Sequence, residues 1–231
     1  MLGPFDLWVV RSGGEAFLAW STAGDELRER GFDDAPRPDS QPALLRVPEP
    51  GRIVLEPRTA PLSIVARPET PVSLAPGASL RAYVSTPLWL QMSTRGGAGP
   101  ELAVQPLKHT WAGTTTDGSL CIATRTHLRL SLERLPRRAH RILSAIVLRN
   151  ATNETVKVER LVLPLPLARL YADGDLLWSE SITLVHKEGG TDSLLNGPPR
   201  EAASAVQVAA SRVSSSRGLT GVVSAVLAGI V

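Results

Sequence analysis

The only cysteine of the chain, Cys121, has neighbours in sequence whose types could form a nucleophilic site. His109 precedes it, His127 follows it, and Asp117 lies between them in sequence. A histidine can lower the pKa of a thiol and an aspartate can orient the histidine, so these types could form a Cys–His–Asp site. Cys121, however, lies in the run Ser-Leu-Cys-Ile-Ala, which is typical of a core strand. We therefore predict a buried thiol and no catalytic residue.

The stretch from 108 to 126 is still the best candidate for a ligand site, because it combines an aromatic ring, a carboxylate and a guanidinium. These groups belong to Trp111, Asp117 and Arg125. The alternative is a structural hairpin, closed by an Asp-Gly turn at 117–118, in which Trp111 is a core or rim aromatic. A hydrolase or other small-molecule enzyme could also build its site across strands around 109–127 without a local motif.

A basic cluster follows in Arg134-Leu-Pro-Arg-Arg-Ala-His-Arg141. Its four arginines, Arg134, Arg137, Arg138 and Arg141, could contact an anion such as a nucleic-acid phosphate, a lipid headgroup or an acidic partner. The alternative is a solvated loop that aids solubility. Because no aromatic residue is interleaved, base stacking is not expected, and nucleic acid is disfavoured as a partner.

Metal and cofactor chemistry is also disfavoured. The four histidines, at positions 109, 127, 140 and 186, form no His-x₃-His pair and join no Cys-x₂-Cys pair, so we predict no metal site. The glycine-rich stretch 95–100 lacks the Gly-Lys-Ser/Thr ending of a phosphate-binding loop and predicts a flexible hairpin loop instead. We predict no cofactor.

Composition indicates a globular chain in a reducing compartment. The 231 residues are 43% hydrophobic and carry a net charge of only +3, so the basic character gives little support to a nucleic-acid partner. One cysteine cannot form an internal disulfide, and the N-terminus does not show the basic and then apolar pattern of a secretion signal. We therefore expect a cytoplasmic location.

The last fourteen residues, Gly218–Val231, are uncharged and mostly small and apolar. About 20 apolar residues are needed to span a bilayer, and this segment is shorter. It predicts a buried last strand or helix, or else a short contact with a membrane or a partner.

Alternation of apolar and polar residues predicts strands along most of the chain. Thr126–Glu133 alternates without interruption and would place its three leucines on one face of a strand. Ser79–Ser85 repeats the pattern. Between 155 and 163 the alternation shifts by one residue near Glu159–Arg160, which predicts a bulge.

Turn residues separate these runs. The pairs at 117–118 and 173–174 are both Asp-Gly, a strong signal for a two-residue hairpin turn, and 149–155 indicates a polar turn.

We predict an all-β fold, an antiparallel β-sandwich or barrel-like assembly of about a dozen short strands. At most one or two short helices are expected, at 21–31 and at 201–212, where a strand through Val206 and Val208 is an equal alternative. Residues 1–200 would form the β domain, either in one piece or as two packed sandwich halves with a break near 95–110. Residues 201–231 would form a C-terminal tail that is rich in alanine, serine and small apolar residues.

Several short stretches carry a resemblance to a known family. They are Gly3-Pro-Phe-Asp-Leu7, the proline-punctuated strands from Leu55 to Pro87, Lys108-His-Thr-Trp-Ala-Gly113 with Leu120-Cys-Ile-Ala-Thr-Arg125, the hairpin around Asn150, and Leu170-Tyr-Ala-Asp-Gly174. In these the chain resembles the prokaryotic domain of unknown function numbered 432. The resemblance implies no activity. Genes of this family are associated with genes of mechanosensitive channels. The resemblance therefore implies only a weak association of the protein with a membrane or a channel.

The sequence therefore leaves the function unknown and three hypotheses open. The favoured one is a non-enzymatic β-sandwich that binds a protein partner or forms a homo-oligomer. The first alternative is an enzyme with its site around 109–127. The second is an accessory domain at a membrane surface or on a membrane protein.

Overall fold

The computed structural model describes residues 6–12, 15–21, 45–48, 53–94, 97–105, 107–135 and 137–213. Their regular structure is almost entirely strand, which confirms the predicted all-β fold class. Residues 22–31 of the predicted helix and the apolar segment from Gly218 lie outside the described residues.

The described strands are short. In chain order they are β1 (Asp6–Ser12), β2 (Glu15–Ser21), β3 (Leu45–Pro48), β4 (Val54–Arg58), β5 (Ile64–Pro68), β6 (Val72–Leu74), β7 (Ser79–Pro87), β8 (Trp89–Thr94), β9 (Gly97–Ala103), β10 (Lys108–Gly113), β11 (Gly118–Leu128), β12 (Arg141–Asn150), β13 (Val156–Val158), β14 (Leu161–Leu163), β15 (Leu170–Asp173), β16 (Leu176–Ser179), β17 (Ile182–Lys187), β18 (Gly190–Leu195) and β19 (Val206–Ala209). Single 3₁₀ turns occur at Leu132–Arg134, Leu165–Leu167 and Arg200–Ala202.

The chain divides into two compact units. The first comprises Met1–Arg58 and Leu88–Pro106, and its described strands form the antiparallel sheets β1-β2-β3 and β4-β8-β9. The second comprises Thr59–Pro87 and Leu107–Val231. Residues 201–209, which the sequence assigns to a tail, contribute a 3₁₀ turn and β19 to this second unit.

The second unit is organised around β12. Along one edge β12 pairs antiparallel with β7, from Arg141 opposite Pro87 to Arg149 opposite Ser79. Along the other edge it pairs parallel with β16 near its start and with β17 near its end, within the order β18-β17-β12-β16-β15-β19. A strand that is paired on both edges and covered on both faces must be largely apolar, and Ile-Leu-Ser-Ala-Ile-Val-Leu satisfies this requirement.

One face of β12 packs toward the second large sheet of this unit, which has the order β10-β11-β5-β14. Leu148 of β12 and Leu184 of β17 line the same narrow apolar cavity as Leu161 of β14. The ribbon of β6 and β13 contributes Leu74 and Val158 to that cavity. These contacts create the sandwich core that the alternating strands predict.

The opposite face of β12 forms a separate buried cluster under two covering segments. The cluster comprises Tyr83, Leu135, Leu143, Ala145, Tyr171, Trp178 and Ala202. Leu135 follows the 3₁₀ turn at Leu132–Arg134, and Ala202 ends the one at Arg200–Ala202. Both segments therefore pack on this face of the sheet and bury its aromatic rings, which point away from the sandwich core.

A carboxylate fixes the second covering segment. Glu201 Oε1 accepts hydrogen bonds from Arg81 Nε at 3.0 Å and from the Tyr83 hydroxyl at 2.6 Å, and Glu201 Oε2 accepts one from Arg81 Nη2 at 2.6 Å. Burial alone would raise the pKa of Glu201, but the hydrogen bonds from Arg81, Tyr83 and Arg200 outweigh it and lower the pKa to about 2.

A buried asparagine joins the turns at the end of β12. The side chain of Asn150 is fully buried, and its Nδ2 donates to the carbonyls of Leu74 and Glu154 at 2.9 and 2.7 Å. Its Oδ1 accepts from the backbone N–H of Thr152 at 3.0 Å. The polar turn predicted at 149–155 is confirmed, and its first asparagine is a buried structural residue.

Two predicted strand patterns have a different cause in the structure. β11 ends at Leu128, Arg129 forms an isolated bridge to Tyr83, and Leu130 is exposed whereas Leu128 is buried. The prediction of one strand to residue 133 with its leucines on one face is wrong, because the chain leaves the sheet at this bridge. The shift near 159–160 is not a bulge, because β13 pairs with β6 and β14 pairs with β5. The shift in alternation marks the passage from one sheet to another.

The hairpin turn predicted at 173–174 is displaced by one residue. Asp173 pairs with Leu176 across β15 and β16, so Gly174 and Asp175 form the two-residue loop. Gly174 has φ +57°, which is the backbone conformation that such turns require at this position.

We predict that Glu201→Gln lowers the free energy of unfolding by about 2–3 kcal/mol at neutral pH, because the folded-state pKa of about 2 lies well below the ordinary value of 4.5. The stabilisation that comes from the depressed pKa of Glu201 is fully present above about pH 4.5 and is lost as the pH falls toward 2. The difference between wild type and variant should therefore shrink over that interval. Urea unfolding at a series of pH values measures it. Glu133→Gln, which changes an exposed carboxylate, is the control, and a pH-independent Glu201→Gln difference would contradict the prediction.

Candidate functional site

The strands β10 and β11 form a hairpin at one edge of their sheet. Gly113 lies opposite Gly118, Trp111 opposite Leu120, and His109 opposite Ile122. Among the described residues, β10 pairs with β11 on one side only. The hairpin therefore combines an available strand edge with the residues that the sequence marks for chemistry.

The two faces of this hairpin differ. Directly opposite residues of an antiparallel pair share a face, so Thr110 and Cys121 lie on one face and His109 and Ile122 on the other. Cys121 is fully buried in a cluster with Val65, Ala112 and Val162. The predicted burial of the thiol is confirmed, and the cross-strand register places His109 on the face away from it.

Trp111 is exposed and yet fixed in place. Its side chain is 48% exposed, while its indole Nε1 donates a hydrogen bond to the carbonyl of Thr114 at 2.7 Å. The ring also lies so close to Gly118 that a Cβ added there would overlap the Nε1 and Cε2 atoms of Trp111. The indole, together with the Thr114 carbonyl at 2.7 Å from such a Cβ, therefore requires glycine at position 118.

The loop of the hairpin is longer than a two-residue Asp-Gly turn. Because Gly113 pairs with Gly118, the loop comprises residues 114–117, and the positive φ of +115° falls on Gly113. The Thr114 hydroxyl accepts the backbone N–H of Asp117 at 2.9 Å. The prediction of a tight turn centred on 117–118 is wrong, because Gly118 is the first residue of β11 and accommodates the tryptophan ring.

Leu120 extends the exposed surface of Trp111. It is 50% exposed and directly opposite Trp111, and His109 on the same face is also exposed. Further along this face, Ile122 is buried. An apolar face thus continues beyond the buried part of the hairpin into solvent, and we call His109, Trp111 and Leu120 the hairpin patch.

The three residues predicted as a ligand site share this hairpin. Trp111 and Asp117 lie at its distal end, where Asp117 is exposed in the loop. Arg125 is in β11, and its side chain lies outside the described residues. The residue type alone identified Trp111 in the sequence, but Leu120 was missed. The exposure of Leu120 depends on the point at which the hairpin extends beyond the buried part of the sheet.

The arginine loop, residues 134–141, separates its four arginines into two kinds. Arg134, Arg137 and Arg138 are exposed and form no ion pair within the part of the chain that the structure describes. Arg141 instead donates from Nε to Ser85 Oγ at 2.7 Å and from Nη2 to the Ser85 carbonyl at 2.6 Å. Burial, with a contribution from the charge of Arg138, lowers the pKa of Arg141 to about 10. Arg141 therefore anchors the loop.

Sequence reasoning missed the ion pairs of the second unit, in which a more exposed arginine binds a more buried glutamate. Glu180 is almost completely buried, and its carboxylate accepts the backbone N–H and the side-chain Nε of Arg169, each at 3.0 Å. These hydrogen bonds raise the pKa of Arg169. Arg81 and Glu201 are 120 positions apart in sequence, so no local pattern could reveal their contact.

The apolar cavity beside Asn150 also includes a histidine. His186 lines it, its Nδ1 lies 3.0 Å from the Thr191 hydroxyl, and burial lowers its pKa. Six of its ten lining residues are leucine or valine, and Arg149 and Asn150 are the other polar residues beside His186 and Thr191. The Asn150 amide is already bonded to the carbonyls of Leu74 and Glu154.

Two features are absent from the described residues. No group of three or more histidine, cysteine, aspartate or glutamate side chains is placed to hold a metal ion in them. In the same residues, no helix is both long enough and apolar enough to cross a membrane.

Comparison with known protein families gives a match that spans nearly the whole chain. Residues 1–224 match the family described as "Protein of unknown function (DUF432)". The chain belongs to this family. The resemblance seen in the sequence around Trp111 and Asn150 is thereby confirmed, and DUF432 membership leaves the function unknown. No curated protein and no solved structure matched the chain.

We predict that Gly118→Ala destabilises the protein by about 1–3 kcal/mol, because its Cβ must displace the indole from Thr114. The same substitution in a Trp111→Ala background should cost less, since the ring is gone and only the Thr114 carbonyl, 2.7 Å from the added Cβ, still obstructs it. Urea unfolding of the four proteins gives this double-mutant cycle. Equal costs of Gly118→Ala in the two backgrounds would show that the ring does not impose glycine.

Proposed function

We propose that this DUF432 protein is a non-enzymatic binding module that docks a protein partner on the hairpin patch. The observation that carries the proposal is the state of Trp111, which is half exposed and already held by Thr114 and Gly118. A partner that covers such a residue gains apolar burial without the entropic cost of ordering a flexible side chain. Tryptophan is also among the residue types that contribute most to binding energy at interfaces.

The neighbouring residues support the same function. Covering the exposed half of Trp111 contributes about 2–3 kcal/mol at the usual value per unit of apolar area, and Leu120 adds to it. The one-sided edge of β10 offers backbone groups for an added strand. In this proposal Asp117, which is exposed in the loop beside Trp111, forms a polar contact at the border of the apolar centre. A cytoplasmic location is also part of the proposal, and the free thiol of Cys121 supports it.

The test is site-specific photocrosslinking in the source cells. A photoreactive phenylalanine derivative replaces His109, which is exposed beside Trp111 on the hairpin patch. We expect a discrete crosslinked adduct whose yield falls at least several-fold when Trp111→Ala is added. Light scattering of the purified chain shows in parallel whether the partner is a second copy.

Leu194 provides a matched control, because it is 54% exposed on β18, close to the 50% of Leu120. Leu120→Ser should reduce the adduct, and Leu194→Ser should leave it unchanged. A crosslinking pattern that is the same with and without Trp111, or that responds equally to both leucine variants, would contradict docking on the hairpin patch.

A further inference from the structure

The arginine loop is held at both ends against the second unit's largest sheet. Leu135 is buried in the cluster with Tyr83 and Trp178, and Arg141 is bound to Ser85. Arg134, Arg137 and Arg138 lie at or between these anchors and are exposed. Three guanidinium groups are thus presented to solvent by a segment that is fixed by its own buried residues.

The charge of this segment is strongly one-sided. Residues 133–141 contain four arginines and one carboxylate, Glu133. The preceding Arg129 is paired with Glu69. Burial lowers the pKa of Arg141, and the charge of Arg138 three positions earlier adds to this effect. An anion placed among these guanidiniums would relieve their repulsion.

An exposed leucine adjoins the guanidiniums in sequence. Leu130 is 58% exposed and lies between the Arg129 bridge to Tyr83 and Leu132, which packs on the same cluster as Leu135. An exposed apolar side chain beside several arginines suits a surface that has anionic headgroups above acyl chains. A single-stranded nucleic acid would instead favour aromatic residues for stacking, and residues 129–141 contain no Phe, Tyr or Trp.

We propose that the segment Leu130–Arg141 binds membrane surfaces that contain anionic phospholipids. Arg134, Arg137 and Arg138 contact lipid phosphate groups, and Leu130 enters the interface. The surface is separate in sequence from the hairpin patch, so it goes beyond the docking function, and either can fail without the other.

The test is co-sedimentation of the full chain with vesicles. Phosphatidylcholine vesicles that contain phosphatidylglycerol are compared with vesicles of phosphatidylcholine alone. We expect binding to the first and none to the second. Arg137→Gln/Arg138→Gln should weaken binding on the order of tenfold, and Leu130→Ser by several-fold. These side chains are exposed, so the variants should keep the wild-type unfolding curve.

Matched controls separate this surface from net charge and from other phosphates. Arg67→Gln/Arg149→Gln removes two other exposed arginines and should leave vesicle binding unchanged. Chloride and inorganic phosphate at equal ionic strength should compete equally. The proposal is overturned if both arginine pairs matter equally, if inorganic phosphate competes specifically, or if a single-stranded oligonucleotide binds more tightly than the anionic vesicles.

Discussion

The burial of β12 on both faces and its pairing on both edges constrain the second unit more than any other feature. A strand with no free edge fixes the register of its neighbours β7, β16 and β17, and its alternating side chains divide the interior into two separate layers. One layer is the sandwich core that includes Leu148. The other is the aromatic cluster around Tyr83, which is closed by the Arg81–Glu201 ion pair and by the segment that ends at Arg141.

The candidate surfaces follow from this arrangement. The isolated bridge between Tyr83 and Arg129 ends β11 and directs the chain across the second layer, so Leu130 and the arginine loop lie outside it. At the other end of β11 the hairpin extends past the buried Ile122, and Trp111 and Leu120 are exposed. Here Gly118 leaves room for the ring and Thr114 accepts its N–H, so the residue is preorganised for a partner.

Local sequence patterns, the alternation of apolar and polar residues and the turn residues, predicted a large part of this fold. Alternation predicted β7, and the run Ser-Leu-Cys-Ile-Ala predicted the buried cysteine of β11. The Asp-Gly pair located the hairpin at 173–176 to within one residue. Alternation alone could not show which strand is the partner, so the shift near 159–160 suggested a bulge where the chain changes sheets. Ion pairs such as Arg169–Glu180 depend on tertiary contacts that leave no sequence pattern. For the candidate site, residue type identified Trp111, but the reason for Gly118 needed the position of the indole.

The central claim is that Trp111 is exposed and rigid at once, and ¹⁵N relaxation of its indole N–H tests this most directly. The chain has five tryptophans, and Trp111→Phe assigns the resonance by its loss. The contacts with Gly118 and Thr114 predict an order parameter close to the value of about 0.85 found for rigid backbone. An indole order parameter below about 0.6, typical of a flexible group, would contradict the preorganised site.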